Sequence, residues 1–179
     1  QVLKNKEDIE KGFDAPSILE EYIPFDKELA IIVSRNESGE VNTFPVVECE
    51  FSPEANLVEF LFSPADVSGL VKQKAKELAI NIIESLDMVG ILAVEFFLTK
   101  DGSLLINEIA PRPHNSGHHT IESNVTSQFQ QHLRSVLNLP LGDTSLTSCG
   151  AMLNILGEKD SNGPALYDGL EFLLDHPGV

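Results

Sequence analysis

The residue types and spacings best suited to chemistry lie on either side of a turn signal. Ile91 to Thr99 and Ser103 to Ile109 read as the two strands of a hairpin around Lys100-Asp101-Gly102, and Asp-Gly is a strong signal for a two-residue turn. With Asp101-Gly102 as the loop, Lys100 faces Ser103 and Glu95 stands directly opposite Glu108. Facing residues hold their Cβ atoms roughly 5 Å apart. Two carboxylates held in this way repel, and an apolar core gives no reason for the pairing, whereas a bridging cation does. Mg2+ takes oxygen ligands, typically one or two carboxylates together with the phosphates of a substrate. A three-residue loop would send the two carboxylates to opposite faces. The plainer reading makes both glutamates solvated positions on an exposed sheet face. The apolar neighbours Val94, Phe96, Ile106 and Ile109 weigh against it.

The hairpin runs into Asn107-Glu108-Ile109-Ala110-Pro111-Arg112-Pro113-His114-Asn115-Ser116-Gly117-His118-His119. Arg112 offers a fork of donors suited to phosphate or carboxylate. Asn115-Ser116-Gly117 can turn backbone and side-chain donors toward an anion. His114 can act as a proton carrier or as a neutral donor near neutral pH. Three histidines within six residues also suggest zinc, but Asn-Ser-Gly interrupts the helical His-x-x-x-His spacing and no cysteine is near. Ser116 lacks the G-x-S-x-G setting of a hydrolase nucleophile. His118 and His119 read as structural or solvent-facing, and His132 and His176 have no context that assigns them a role.

The elements that must position these groups follow from periodicity. Ser17 to Ile23, Lys27 to Arg35, Val41 to Phe51 and Leu57 to Phe62 read as strands, the second with Leu29, Ile31 and Val33 alternating against Ala30, Ile32 and Ser34. Short turns such as Asn36-Glu37-Ser38-Gly39 favour antiparallel pairing. From Val67, apolar residues at Leu70, Val71, Leu78, Ala79, Ile82, Ile83 and Leu86 predict a long helix, with Asp66 as its N-cap. Ser127 and Gln130 form a capping-box pattern for a helix carrying Phe129, Leu133, Val136 and Leu137, stopped by Asn138 and Pro140. Ala151 to Leu156 reads as a last strand. The predicted class is α+β with a mainly antiparallel sheet.

Composition narrows the partners. Twelve basic and 28 acidic side chains give a formal charge of -16, which disfavours nucleic acid and anionic membrane. No apolar run reaches the length of a membrane helix. Cys49 and Cys149 form no CxxC pair and no disulfide framework, so the cytoplasm is the default location. Gln1 to Lys6 shows no signal-peptide pattern, and the missing initiator Met suggests a cut end.

The run NEIAPRPHNSGHHTIES, followed by TSQFQQHLRSVLNLPLG and AMLNILG, resembles the signature region of 5-(carboxyamino)imidazole ribonucleotide synthases. The similarity extends from about Ser17 to Gly157. It implies an ATP-grasp fold, with 1–18 ending the central lobe, 19–142 forming the C-terminal lobe with the nucleotide and metal site, and 143–179 beginning the C-terminal subdomain. The implied reaction carboxylates aminoimidazole ribonucleotide with bicarbonate and ATP, through carboxyphosphate, in purine biosynthesis. The resemblance makes Glu20, Glu21 and Ile23 part of a segment whose backbone reads adenine, and Glu28 the acid that holds the ribose. It assigns Asn107 and Glu108 to the nucleotide side and Glu95 and Glu108 to magnesium. Arg112, His114, Asn115 and Ser116 then hold the imidazole ribonucleotide and carboxyphosphate.

Many ATP-grasp enzymes carry Glu-x-Asn-Pro-Arg here, and Ala110 takes the place of that Asn. A formate-using relative that makes formylglycinamide ribonucleotide has His-Asp-Thr-Gly where this chain has His-Asn-Ser-Gly, which favours the imidazole substrate. The family's glycine-rich loop and phosphate-clamping lysines, and its basic C-terminal segment, are not found in the chain. The segment alone is therefore expected to fold without turnover. A homodimer and hand-off of product to a carboxyaminoimidazole ribonucleotide mutase are further expectations of the resemblance. A non-catalytic nucleotide-binding module is the rival of another class.

Overall fold

The computed structural model describes residues 2–51, 58–155, 163–164 and 166–179. Seven strands among them make one sheet: β1 (Phe25–Arg35), β2 (Val41–Thr43), β3 (Val47–Phe51), β4 (Val58–Ser63), β5 (Gly90–Thr99), β6 (Leu104–Ala110) and β7 (Gly150–Leu153). The order is β6-β5-β1-β3-β4-β7 with β2 alongside β1, and every pairing is antiparallel. Four α-helices accompany it, α1 (Gly69–Ser85), α2 (Thr120–Ser123), α3 (Gln128–Val136) and α4 (Leu170–Leu174), with 3-10 helices at Lys6–Lys11 and Asn115–Gly117. The architecture is the α+β class that the strand and helix periods predict.

The central strand β1 is buried from Leu29 to Ser34 on both faces, because each face has its own cover. On one side Leu29, Ile31 and Val33, with Leu92, Val94 and Phe96 of β5, pack against Ala75, Ala79 and Ile83 of α1. On the other side Ile32, Ile91, Ala93, Phe44 and Ala110 form a second cluster. Here Gln131 of α3 reaches Ser34 of β1, its Nε2 donating to Oγ at 3.1 Å. The helix α3 covers only one end of this face. The carboxylates occupy the other end.

Several expected boundaries shift. Ser17 to Ile23 is not a strand: the segment is irregular, Pro16 and Pro24 bracket it, and Phe25 N–H turns back to the Ile23 carbonyl at 3.0 Å. Proline supplies no donor to a ladder. Val41 to Phe51 splits into β2 and β3 at Phe44-Pro45-Val46, where the Phe44 side chain is drawn into the core. The cap of α1 is Ser68, whose side chain accepts from Val71 N–H at 3.3 Å, and not Asp66. The carbonyl of Asp66 instead accepts from Lys27 Nζ at 3.2 Å. Leu70 and Leu86, assigned to the buried stripe, are exposed, and Ala75 lies at its centre. Leu57 and Leu156, expected ends of two strands, lie outside the described residues. The α3 capping box is complete, and Asn138, at φ 52°, ends that helix.

Candidate functional site

The hairpin reaches the expected opposition of acids by an unexpected route. Thr99 N–H donates to the Ser103 carbonyl at 2.9 Å, so the loop holds three residues, Lys100 to Gly102. Gly102 sits at φ 83°, the left-handed position such loops require. Asp101 stabilises it by accepting from Ser103 N–H and from the Thr99 hydroxyl. Leu98 therefore faces Leu104, and Phe96 faces Ile106. Carried onward, that register would turn Glu108 away from Glu95. A β-bulge between Glu95 and Phe96, with Asn107 the extra residue on β6, resets it. Glu95 faces Glu108, and Ala93 faces Ala110.

Across the sheet, Glu95 faces Ala30 and Phe97 faces Glu28. Residues two apart on a strand share a face, so Glu28 joins Glu95 on the open end of the sheet. These residues line a cleft of about 750 Å³ whose acidic wall is Glu28, Glu95 and Glu108. Its second wall is the irregular segment Glu20, Glu21, Tyr22 and Ile23. Among the described residues, the N–H groups of that segment make no backbone hydrogen bond. Asn107 completes the rim.

Among the described residues, the ion pairs of lysine and arginine go to Asp8, Glu48 and Asp87, and none to Glu28, Glu95 or Glu108. Burial, with the Glu95 charge second, lifts Glu28 to about 7. Burial and the Glu108 charge raise Glu95 as well. Among the described residues no three His, Cys, Asp or Glu side chains are grouped closely enough to hold a metal ion by themselves, so a hard divalent cation here would take the facing carboxylates Glu95 and Glu108 together with oxygens of a ligand. Cys49 lies beneath it, facing Glu28 in register, and burial holds its thiol at about 12, so it is inert there.

The loop after β6 approaches from one side. His114 Nδ1 is 3.7 Å from Glu95 Oε1 and 2.9 Å from Ser116 Oγ. The first distance is too long for a hydrogen bond. Burial, then the Arg112 charge, lowers His114 below the usual histidine range, so it stands as a neutral ring near neutral pH. Ser116 is buried within the short 3-10 turn Asn115–Gly117. Arg112 is exposed, its guanidinium donating to the Pro113 carbonyl at 3.2 Å. The structure thus brings Glu20, Glu21, Ile23, Glu28, Glu95, Asn107 and Glu108 around one cleft, with His114 and Ser116 beside it. Arg112 and Asn115 make no hydrogen bond or ion pair to the acids. His118 is exposed, whereas His119 is buried with both ring nitrogens unpartnered among the described residues, and burial lowers it to about 4. The Ser116 backbone offsets this in part, though it lies outside hydrogen-bonding geometry.

Sequence reasoning missed the apolar wall of the cleft. Phe25 and Phe97 stack with ring centroids 4.5 Å apart and planes 5° apart, and Phe51, Leu105 and Ile106 extend the surface. Phe97 was legible as the same-face neighbour of Glu95. Phe25 was not, because a register shift between Phe25 and Lys27 brings it there.

This geometry belongs to a known class. Residues 1–129 match the ATP-grasp domain family, and the chain belongs to that family. Its relatives include the N5-carboxyaminoimidazole ribonucleotide synthase of Bacillus subtilis strain 168, 49% identical over 142 residues, or 79% of this chain and 37% of the relative. The phosphoribosylaminoimidazole carboxylase of Saccharomyces cerevisiae is 44% identical over 99% of this chain and 32% of its own length. A relative in Vigna aconitifolia, 50% identical over 150 residues, 83% of this chain and 26% of the relative, is a chloroplastic phosphoribosylaminoimidazole carboxylase. The crystal structure of N5-carboxyaminoimidazole ribonucleotide synthetase from Thermotoga maritima superimposes with a TM-score of 0.84 and 45% identity, over 96% of this chain and 46% of that one. The Aspergillus clavatus synthase in complex with ADP and 5-aminoimidazole ribonucleotide gives 0.72 and 40%, over 76% and 37%. The chain spans between 26% and 37% of the length of these sequence relatives. No described helix is long and apolar enough to cross a membrane.

Proposed function

We propose that this chain supplies the nucleotide and cation site of an ATP-dependent carbon–nitrogen ligase that carboxylates 5-aminoimidazole ribonucleotide with bicarbonate. The observation that carries the reading is the convergence of Glu28, Glu95 and Glu108 on one cleft whose far wall, Glu20 to Ile23, has backbone N–H groups without a backbone partner among the described residues. Bicarbonate oxygen attacks the terminal phosphorus of ATP and ADP leaves. The carboxyl group of the resulting carboxyphosphate passes to the exocyclic amine, which loses a proton, and inorganic phosphate departs. In this reading the backbone of Glu20 to Ile23 binds the adenine edge against the Phe25–Phe97 wall, and Glu28 accepts from the ribose hydroxyls. Glu95 and Glu108 would hold Mg2+, with Asn107 at the rim on the nucleotide side. A bound divalent cation neutralises phosphate oxygens and supports the charge that moves during transfer. Arg112, His114, Asn115 and Ser116 hold the anionic acceptor side by positioned donors.

The reading places 1–18 at the end of the central lobe, 19–142 in the C-terminal lobe and 143–179 at the start of the C-terminal subdomain. It includes a cytoplasmic location, a homodimer and passage of product to a mutase. The test is ADP release by the full-length enzyme. Turnover is expected to require both bicarbonate and aminoimidazole ribonucleotide. Turnover with formate and glycinamide ribonucleotide instead, or nucleotide binding without turnover, overturns it.

A further inference from the structure

We propose that Gln128 is the positioning residue of the loop bearing His114, and that its amide fixes the proton of His118 on Nε2. Gln128 is the first residue of α3 and is wholly buried. Its Oε1 accepts from His114 N–H at 2.9 Å. Its Nε2 donates to the His114 carbonyl at 2.8 Å and meets His118 Nδ1 at 2.9 Å. These three contacts determine the orientation of the amide. Reversed, it would aim N–H at N–H and oxygen at carbonyl oxygen. Since Nε2 carries hydrogens toward both partners, His118 Nδ1 must offer a lone pair, and the ring proton lies on Nε2. The His118 ring is held against Phe129, centroids 5.7 Å apart.

The clamp is built into its surroundings. Gln128 N–H donates to Thr120 Oγ1 at 2.8 Å, and that hydroxyl donates to the Gly117 carbonyl. A Cβ at position 117 would collide with the Gln128 amide, so glycine there lets the amide reach His114. The α3 capping box, Ser127 with Gln130, sets where Gln128 starts. The amide thus binds His114 as a neighbouring strand would, and so sets the distance from the His114 ring to Glu95. It lines no part of the 750 Å³ cleft. Its contacts are to the His114 loop of the acceptor side and to none of the residues lining the nucleotide wall, so its effect is expected on the acceptor side.

The isosteric Gln128→Glu substitution keeps the accepted hydrogen bond and removes both donors. NMR of the full chain with 15N-labelled histidine is expected to show His118 protonated on Nε2 in the parent and on Nδ1 in Gln128→Glu. In the full-length enzyme, on the ligase reading above, the variant is expected to lose about tenfold to a hundredfold in kcat/KM for the imidazole acceptor, with KM for ATP unchanged. Gln128→Met, which keeps the volume, serves where the glutamate variant does not fold, and shows the same kinetic split. An Nε2 proton retained in Gln128→Glu overturns the proposal, as does a parallel decline of acceptor and ATP kinetics in either variant. A parent enzyme without bicarbonate-dependent turnover sinks the ligase reading alone, since the tautomer still decides the role of Gln128.

Discussion

Glu28 is a carboxylate whose surroundings oppose its charge. Its folded value, about 7, lies above the ordinary 4.5, so the folded chain favours the protonated form. Stability from this group is complete below pH 4.5 and is lost as pH rises through about 7. The expected consequence is that Glu28→Gln stabilises the metal-free protein at pH 8 by about 1–2 kcal/mol, less than full linkage because water in the open cleft screens the pair. At pH 4.5 the two proteins should be equally stable. Urea unfolding in EDTA at the two pH values measures this. The difference between parent and variant isolates Glu28 from His114 and His119, whose lowered values remove stability in the opposite sense, as pH falls below 6.5. Equal stability at pH 8 would mean that the carboxylate is solvated. At this scale the sequence was legible where chemistry forces an oddity, as with two opposed acids. The single amide of Gln128 was silent, because a glutamine at a helix start looks like any other.

Elements were legible where one period ran unbroken, as in β1, α1 and α3, and misleading where a local irregularity changed the count. The hairpin carries two such irregularities, a three-residue loop and the bulge at Asn107, and they cancel. Either alone would part Glu95 from Glu108. Deleting Asn107 removes the bulge but leaves Glu108 next after Ile106 and so still opposite Glu95; the fold, followed by far-ultraviolet circular dichroism, and metal-dependent nucleotide binding, measured by calorimetry, are both expected to survive. Lost binding would show that the opposition of the acids is not sufficient without the bulge. In α3 the pattern located the helix, and its buried face is the polar one. Gln128, Gln131 and Ser135 are buried, whereas Phe129, Leu133, Val136 and Leu137 are exposed. Hydrogen bonds explain the inversion: Gln131 Oε1 accepts from Gly142 N–H at 2.8 Å and its Nε2 donates to Ser34 Oγ. Gln131→Leu leaves the Gly142 donor buried and unpaired and should cost about 1–3 kcal/mol. Leu133→Ala should change stability by no more than about 0.5 kcal/mol. Chemical denaturation of the two variants tests the order, and a larger loss at Leu133 would place α3 the other way round.

At the scale of the whole molecule, the charge of -16 and the cleft pose one electrostatic problem at two ranges. Surface charges repel diffusely, and any salt screens them over about 10 Å at 0.1 M. The acids at the cleft repel at contact, where the low-dielectric sheet beneath them limits screening and a coordinated cation is far more effective than an ionic atmosphere. The two contributions can be separated by melting the chain in KCl and in MgCl2 at matched ionic strength, with and without an ATP analogue. KCl should raise the melting temperature slightly, whatever the state of the cleft. MgCl2 with the analogue at a hundred times its dissociation constant should add about 2.7 kcal/mol, roughly 5–10 °C for a chain of this size. Glu108→Gln should abolish that increment and leave the KCl response unchanged. If matched KCl reproduces the magnesium effect, the acids act only as part of the surface charge, and the cleft holds no cation.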